Sequence, residues 1–566
     1  MKRMSREMVQ PSVPKATART SAKTRAFMVS AYITSIPALP RPTRRVSRRR
    51  RLRSRELGGR GERSRNEVAN CLQHPLMDVA NGRTIDMQAP GSAMRSGLEA
   101  NILVISDLHL GEDLRPSVAN VSYLRHLVRL ERALEAFLAH HTQNRLNGRP
   151  WTLVVNGDMV DFMSVMILPD QGEAGDAEDR LYGLGFGERQ SQRKLEQVIV
   201  RHQGVFGKLA EFIAAGNEVV IVVGNHDFEF HYPTVQRTLV EWLCGLAVGA
   251  GAPDEARAEF AKRIQFCPWF YYQKDLIYIE HGHQYDEYCS FDYLLHPVAQ
   301  PKRGGRKSRV ALSVAHAGMR YFANQLPAYD PHTAEEWSFF NYARWAWAQG
   351  LKGAIQLFYF YGLLVWRLVE LWYSLIDRRV ESERRAVHQE RLKELSGHWK
   401  IAEEKLIALD ALRRTPVTKR LWKLLSALFI DRVLLGAVAL ALASVLIGET
   451  HGAWRIAGPI GVVLLFGVVN ELLNKLRLEA PSVRLRSAPQ AIQRLIRAPF
   501  IVFGHSHAPE RLALEGGGTY FNTGTWASDD VRHTFTHLVV TVAPSGEAPR
   551  AELRQWRDGS SVAFKE

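Results

Sequence analysis

The sequence is poor in cysteine. Its four cysteines in 566 residues, Cys71, Cys244, Cys267 and Cys289, form no CxxC pair and no disulfide-like spacing. That excludes a disulfide scaffold, argues against a purely structural zinc site, and points to a reducing, cytosolic setting. A secretory signal is lacking too, because the early apolar stretch Ala26–Leu39 is short, broken by Pro37 and followed by arginines. No apolar run reaches the roughly 20 residues that a membrane-spanning helix wants. An excess of one charge is also missing from most of the chain. The formal +16 comes from 74 Lys+Arg against 58 Asp+Glu, and residues 1–66 alone hold 19 basic and 3 acidic groups. The remaining 500 residues are balanced at 55 of each sign. Such a body offers no basic groove at the level of composition, so nucleic acid is not expected as a partner.

The basic tail runs through Arg44-Arg45 and Arg48-Arg49-Arg50-Arg51 among Pro, Ser and Thr. It has too little apolar surface to offset its ordering entropy, and disorder is expected over residues 1–98. Two readings stand. The tail is an arm for anionic lipid or nucleic acid, or a targeting peptide. Otherwise the start is set too early, and Met77, Met87 or Met94 is the first residue.

From Asn101 the character changes. Short apolar runs at Asn101–Ser106, Trp151–Asn156 and Glu218–Val223 read as buried strands, separated by helical patterns at Val121–His141 and Gln192–Ala215. Further strands are expected at Leu276–Glu280, Phe500–Phe503, Thr519–Asn522 and Thr534–Val542. Alternating strands and helices imply an α/β core, here assigned to 99–295 and 491–566.

Residues 296–490 read as a helical insertion. Trp337–Leu375 is crowded with aromatics, Arg378–Arg414 is charged with helical periodicity, and Val433–Gly448 and Ile456–Val469 are uncharged aliphatic runs. Arg413, Arg414, Lys419, Arg420 and Lys423 precede this pair, and Lys475, Arg477 and Arg484 follow it. A helical hairpin over 430–473 with both ends in the cytoplasm shows that bias, and an aromatic-rich helix suits the membrane interface. The competing reading is a soluble helical cap with an apolar interior.

Five strand ends carry the chemistry: Asp107-Leu108-His109; Gly157-Asp158 with Asp161; Gly224-Asn225-His226-Asp227; His281-Gly282-His283; and Gly504-His505-Ser506-His507. One such residue usually caps a turn. Five successive strand ends bearing Asp, Asn and His beside glycine point to a shared site, since ligands collect where the loops after strands converge. Carboxylate, imidazole and amide oxygen suit borderline divalent ions such as Mn, Fe, Zn or Ni, and two such ions can clamp a phosphoryl group.

In this order the motifs resemble the calcineurin-like metallophosphoesterase superfamily. The resemblance implies a double β-sandwich flanked by helices and a hydrolase of phosphoester or pyrophosphate bonds. It also implies two divalent ions, one held by Asp107, His109, Asp158 and His507, the other by Asp158, Asn225, His281 and His505. His226 would serve the leaving group with Asp227 orienting it, and a water-derived hydroxide would attack phosphorus. Of the neighbours, Asp161 is expected to orient a ligand. His283 shares a strand face with His281 and is a candidate substrate or supporting contact. His231, His316 and His332 have no motif support and read as ordinary polar residues.

In motif style the chain is similar to bacterial enzymes that cleave the pyrophosphate of UDP-2,3-diacylglucosamine, which also carry a helical insert between the fourth and fifth motifs. It departs from them in having His226 where they carry Arg, and His283 where they carry Asp. A lipid-linked substrate and a membrane-associated protein with a cytoplasmic catalytic domain are the resulting expectations. The alternatives are a soluble nucleotide or nucleic-acid phosphodiesterase and, from another class, a non-catalytic membrane scaffold or sensor.

Overall fold

In the computed structural model, residues 100–565 are described except for 116–120, 170–176, 250–252, 300–308, 311–312, 327–338, 376–377, 478–482, 484, 529, 531 and 543–547. The basic tail, with the disorder expected of it, and His332 lie outside the described residues. The strands in chain order are β1 (Asn101–Ile105), β2 (Trp151–Asn156), β3 (Glu218–Val222), β4 (Ile264–Cys267), β5 (Phe270–Gln273), β6 (Ile277–Glu280), β7 (Val298–Ala299) and β8 (Arg309–Val310). They continue with β9 (Phe500–Phe503), β10 (Glu510–Ala513), β11 (Thr519–Asn522), β12 (Thr536–Thr541), β13 (Arg550–Arg557) and β14 (Ser560–Ala563).

Two sheets make the core. One has the order β14-β13-β12-β1-β2-β3-β4, the other β10-β11-β9-β6-β5, and β7-β8 is a separate ribbon. Side chains alternate across a strand, so β1 to β3, apolar throughout, serve two interiors at once. Ile102, Val104, Val154, Val220 and Val222 face the second sheet, where they meet Ile277, Ile279, Val502 and Phe521. Leu103, Ile105, Leu153, Val155, Val219 and Ile221 point the other way, towards the Leu130, Leu134, Phe137 and Phe206 faces of helices Val121–Gln143 and Gln203–Ala214. The double sandwich flanked by helices is therefore built by two sets of side chains on the same strands. β1, β2 and β3 run parallel to one another, as do β6 and β9, while β12 closes antiparallel on β1.

The stretch assigned to an insertion is partly built into this core. Leu392, Leu395, Ile401, Leu406 and Leu409 belong to the same buried cluster as β1 and β2. Leu364, Leu368, Val417, Leu424 and Leu428 pack in a cluster with Met163, which follows β2. Beyond them the hairpin stands apart as helices Ile430–Glu449 (20 residues) and Trp454–Arg477 (24 residues). The two apolar runs looked too short to span, but the helices extend past them through Asp431-Arg432 and Trp454-Arg455. Among the described residues, three helical segments are long and apolar enough to cross a membrane: Gly350–Trp372, Ile430–Glu449 and Trp454–Leu473.

Candidate active site

Each motif sits where a strand ends, and the backbone there is unusual. Asp107, His109, Asp158, His505 and His507 all have φ between 48° and 66°. Residues other than glycine rarely adopt this left-handed conformation, at a cost on the order of 1 kcal/mol or more each. Neighbouring loops hold it in place. The N–H groups of Leu108 and His109 both donate to the Asp158 carbonyl (2.9 Å each), and the His505 N–H donates to Asp107 Oδ2 (3.2 Å). Two glycines are required by close approach. A Cβ on Gly157 would strike the His281 ring, and one on Gly224 would strike the Asp158 carboxylate.

The seven expected ligands meet. His109 Nε2 and His507 Nε2 lie 3.2 Å apart, with Asp107 Oδ1 3.2 Å from the second and 4.0 Å from the first. On the other side His281 Nε2 is 3.1 Å from both Asp158 Oδ2 and Asn225 Oδ1. Asp158 stands between the halves, its Oδ2 also 3.9 Å from His109 Nε2. Asp107, His109 and His507 form one group whose donor atoms lie within 4.8 Å of one another, and Asp158, His281 and His505 form another. All are buried except His505 and His507, which with His226 are half-buried and form the mouth.

The donor chemistry fits cations. His281 Nδ1 bonds the Asn156 carbonyl (2.9 Å), which leaves Nε2 of a neutral ring as a lone pair turned on two oxygens. Three acceptors facing one another repel unless positive charge stands among them. Where no ion supplies that charge, a proton on the ring does. Burial pulls the His281 imidazole down, but the Asp158 carboxylate outweighs it and raises it to about 9. Burial pushes Asp158 up, yet His281 and His226 hold it well below the usual carboxylate range.

Two expectations about the neighbours change. Asp227 was expected to orient His226, but its oxygens accept the N–H groups of Met159 and Gly224 (2.7 Å each), so it ties the loop after β2 to the loop after β3. Burial and Asp158 push its carboxyl up to about 7. The carboxylate on the His226 ring is Asp161, whose Oδ1 lies 2.9 Å from Nδ1 and whose Oδ2 accepts from the Ser164 hydroxyl (2.6 Å). Asp161 also faces His109 Nδ1 at 3.8 Å. His283 lies near His281, but not through strand alternation. β6 ends at Glu280, Gly282 turns at φ 104°, and His283 opens a short 3-10 turn, its buried ring edge-on to the stacked Phe228 and Phe291 and 5.5 Å from the His281 ring.

Sequence reasoning missed Asp286, whose Oδ2 is 3.4 Å from His505 Nε2 and which groups with Cys289 and His505. An isolated Asp three residues past His283 carries no pattern that would have marked it. His316, set aside as ordinary, is wholly buried, its Nδ1 2.9 Å from the Ser313 hydroxyl and its ring against Phe186 and Phe291.

Comparison with curated proteins finds no match to this chain. The calcineurin-like phosphoesterase family model matches residues 100–342, which takes in the first four motifs and stops short of His505 and His507, brought to the site by β9 beside β6. On that match and on these His/Asp groups, the chain carries a calcineurin-like phosphoesterase domain and is a metal-dependent phosphoesterase.

Proposed function

We propose that the protein uses two divalent ions to hydrolyse a phosphoester or pyrophosphate bond in a lipid-linked or membrane-proximal substrate. The observation that carries the reading is the convergence of seven metal-type donors from five strand-end loops, in two groups with Asp158 between them. Asp107, His109, Asp158 and His507 are assigned to one ion; Asp158, Asn225, His281 and His505 to the other. The donor set suits Mn, Fe, Zn or Ni. Bound there, such ions supply the positive charge that polarises the phosphoryl group and eases deprotonation of an attacking water. The chain itself does the rest. Asp161 accepts from His226 Nδ1 and so fixes the ring, and the imidazole at the mouth hands its Nε2 proton to the departing oxygen. Asp227 keeps the loops after β2 and β3 in register, and buried His283 packs beneath the site.

The membrane part of the proposal rests on the hairpin. Its helices expose Val433, Leu434, Leu440 and Leu442, and Val463, Leu464 and Leu465, around most of their circumference. A helix apolar on all sides is covered by lipid or by protein, and none of the described residues covers these. Basic residues flank the hairpin at the catalytic end, which supports a cytoplasmic position for that end.

The test uses the full-length protein in mixed micelles, loaded with Mn or Zn, with a small aryl phosphodiester and a lipid-linked pyrophosphate as substrates. Wild type should turn over both, Asp158→Ala should lose bound metal and activity together, and His226→Ala should keep metal while turning over poorly. Full activity in Asp158→Ala would refute the metal centre. Hydrolysis of the aryl ester with no lipid-linked substrate accepted would refute the substrate class.

A further inference from the structure

Among the described residues three helical segments are long and apolar enough to cross a membrane, but the sheet topology does not let all three cross. β6 and β9 are adjacent parallel strands of one sheet, with Ile277 opposite Phe500 and Ile279 opposite Val502. The chain therefore leaves the sheet after Glu280 and returns at Phe500 on the same side of any bilayer. The number of crossings between those residues must be even. The hairpin helices Ile430–Glu449 and Trp454–Arg477, joined by a short connector, make two. Gly350–Leu375 cannot add a third.

Packing gives the same answer. The C-terminal part of Gly350–Leu375 is fixed to the catalytic unit. Leu364 and Leu368 are buried with Val417, Leu424 and Met163, and Arg367 pairs with Glu178 at 3.7 Å. Leu357, Phe360, Tyr361 and Leu363 also pack against that cluster, and the Tyr361 hydroxyl donates to the Leu428 carbonyl, which leaves only Gly350–Gln356 clear. At 1.5 Å per residue these seven residues reach about 10 Å, far short of the ~30 Å hydrocarbon core. The exposed apolar side chains also differ from those of the hairpin. Leu351, Ile355, Phe358, Trp366 and Val369 follow helical spacing along one stripe, and Trp347 precedes them in helix Phe339–Ala348. The opposite stripe, through Leu364 and Leu368, faces protein.

We infer that helix Gly350–Leu375 lies in the plane of the membrane interface, on the side where the catalytic unit sits, with the Leu351–Val369 stripe in the lipid and only the hairpin crossing. A one-sided stripe with tryptophans suits headgroup depth. The occupant of the stripe is a lipid surface, because the crossing hairpin a few turns away already brings one there. This rests on the membrane reading of the hairpin proposed above. It deepens that reading by fixing how the catalytic unit is held. The same helix that touches lipid packs against Met163, two residues past Asp161, so the site and the lipid-facing helix belong to one packed unit.

The test is depth measurement on the full-length protein in phosphatidylcholine and phosphatidylglycerol vesicles. Spin labels are placed singly at Leu351→Cys, Phe358→Cys and Val369→Cys, and at Leu440→Cys and Val463→Cys in the hairpin, in a Cys71→Ser, Cys289→Ser background. The first three should share one shallow depth of about 5–10 Å, and the hairpin labels should sit near the bilayer centre, ~15 Å down. As a milder check, Trp347→Phe and Trp366→Phe should each lower fluorescence quenching by lipid brominated near the headgroup and leave quenching by deep-brominated lipid unchanged. A depth that runs steadily through the bilayer from Leu351 to Val369 overturns the inference. So do stripe labels in water while the hairpin labels are in lipid. Hairpin labels in water would sink the membrane reading itself, and this inference with it.

Discussion

Around Asp158 a cluster of carboxylates and imidazoles is withdrawn from water, whereas along Val433–Leu472 valines and leucines stand exposed. Both regions invert the usual rule of burial, in opposite senses. Polar groups are buried at the site because they answer one another and a cation, as when His281 Nε2 faces Asp158 and Asn225 at 3.1 Å. The hairpin has no such internal answer. Its helices touch each other closely, with Leu446 only 3.2 Å from where a Cβ on Gly458 would stand, and present the rest outwards. An inversion satisfied from within marks chemistry; one left open marks an environment other than water.

Substitutions can break either side of that contrast. The largest effect is expected at Asp158, which stands between the two donor groups. Asp158→Ala should lower turnover of an aryl phosphodiester by at least about 10³-fold, several kcal/mol of transition-state stabilisation, with metal lost as read by elemental analysis. Removing the ring beside it should cost less. His226→Ala is expected to reduce kcat by about 10²–10⁴-fold with metal content unchanged. Asp161→Asn keeps the shape but weakens the hold on His226 Nδ1, and a loss of about 10–100-fold is expected, mostly in kcat. On the hairpin side, Val463→Arg should cost ~3 kcal/mol of insertion at mid-bilayer and shift protein out of the membrane fraction. The smallest pair sharpens the comparison most. Val154→Ala, between the sheets, should destabilise by about 1–3 kcal/mol in thermal unfolding, whereas Val463→Ala should stay within about 0.5 kcal/mol. Equal losses would mean that the hairpin is packed core after all.

How much of this was legible in the sequence follows from the same physics. β1, β2, β3, β6, β9 and β11 announced themselves because they are short, nearly wholly buried runs, several of them ending in glycine and a ligand. β4, β5, β10, β13 and β14 did not. Ile264–Cys267 alternates between half-buried and buried residues and Glu510–Ala513 is mostly exposed, so neither shows an apolar run. Gln192–Ala215 read as one helix, but the chain breaks at His202 into Glu188–Arg201 and Gln203–Ala214. The ligands were readable because glycine marks where backbone must approach them. Who orients whom was not, since Asp161 and Asp227 have the same side chain and only the fold decides which reaches His226. The sheet order that limits the number of crossings was equally invisible, because it depends on β6 lying beside β9 across more than two hundred residues.

That separation has a consequence for how the protein is made. Asp107 through His281 leave the ribosome first, and the two apolar helices come next. His505 and His507 emerge only after them. The donor cluster can therefore be completed only after both helices of the hairpin have been synthesised. A nascent chain stalled before β9 lacks His505 and His507, two of the seven donors proposed for the metals.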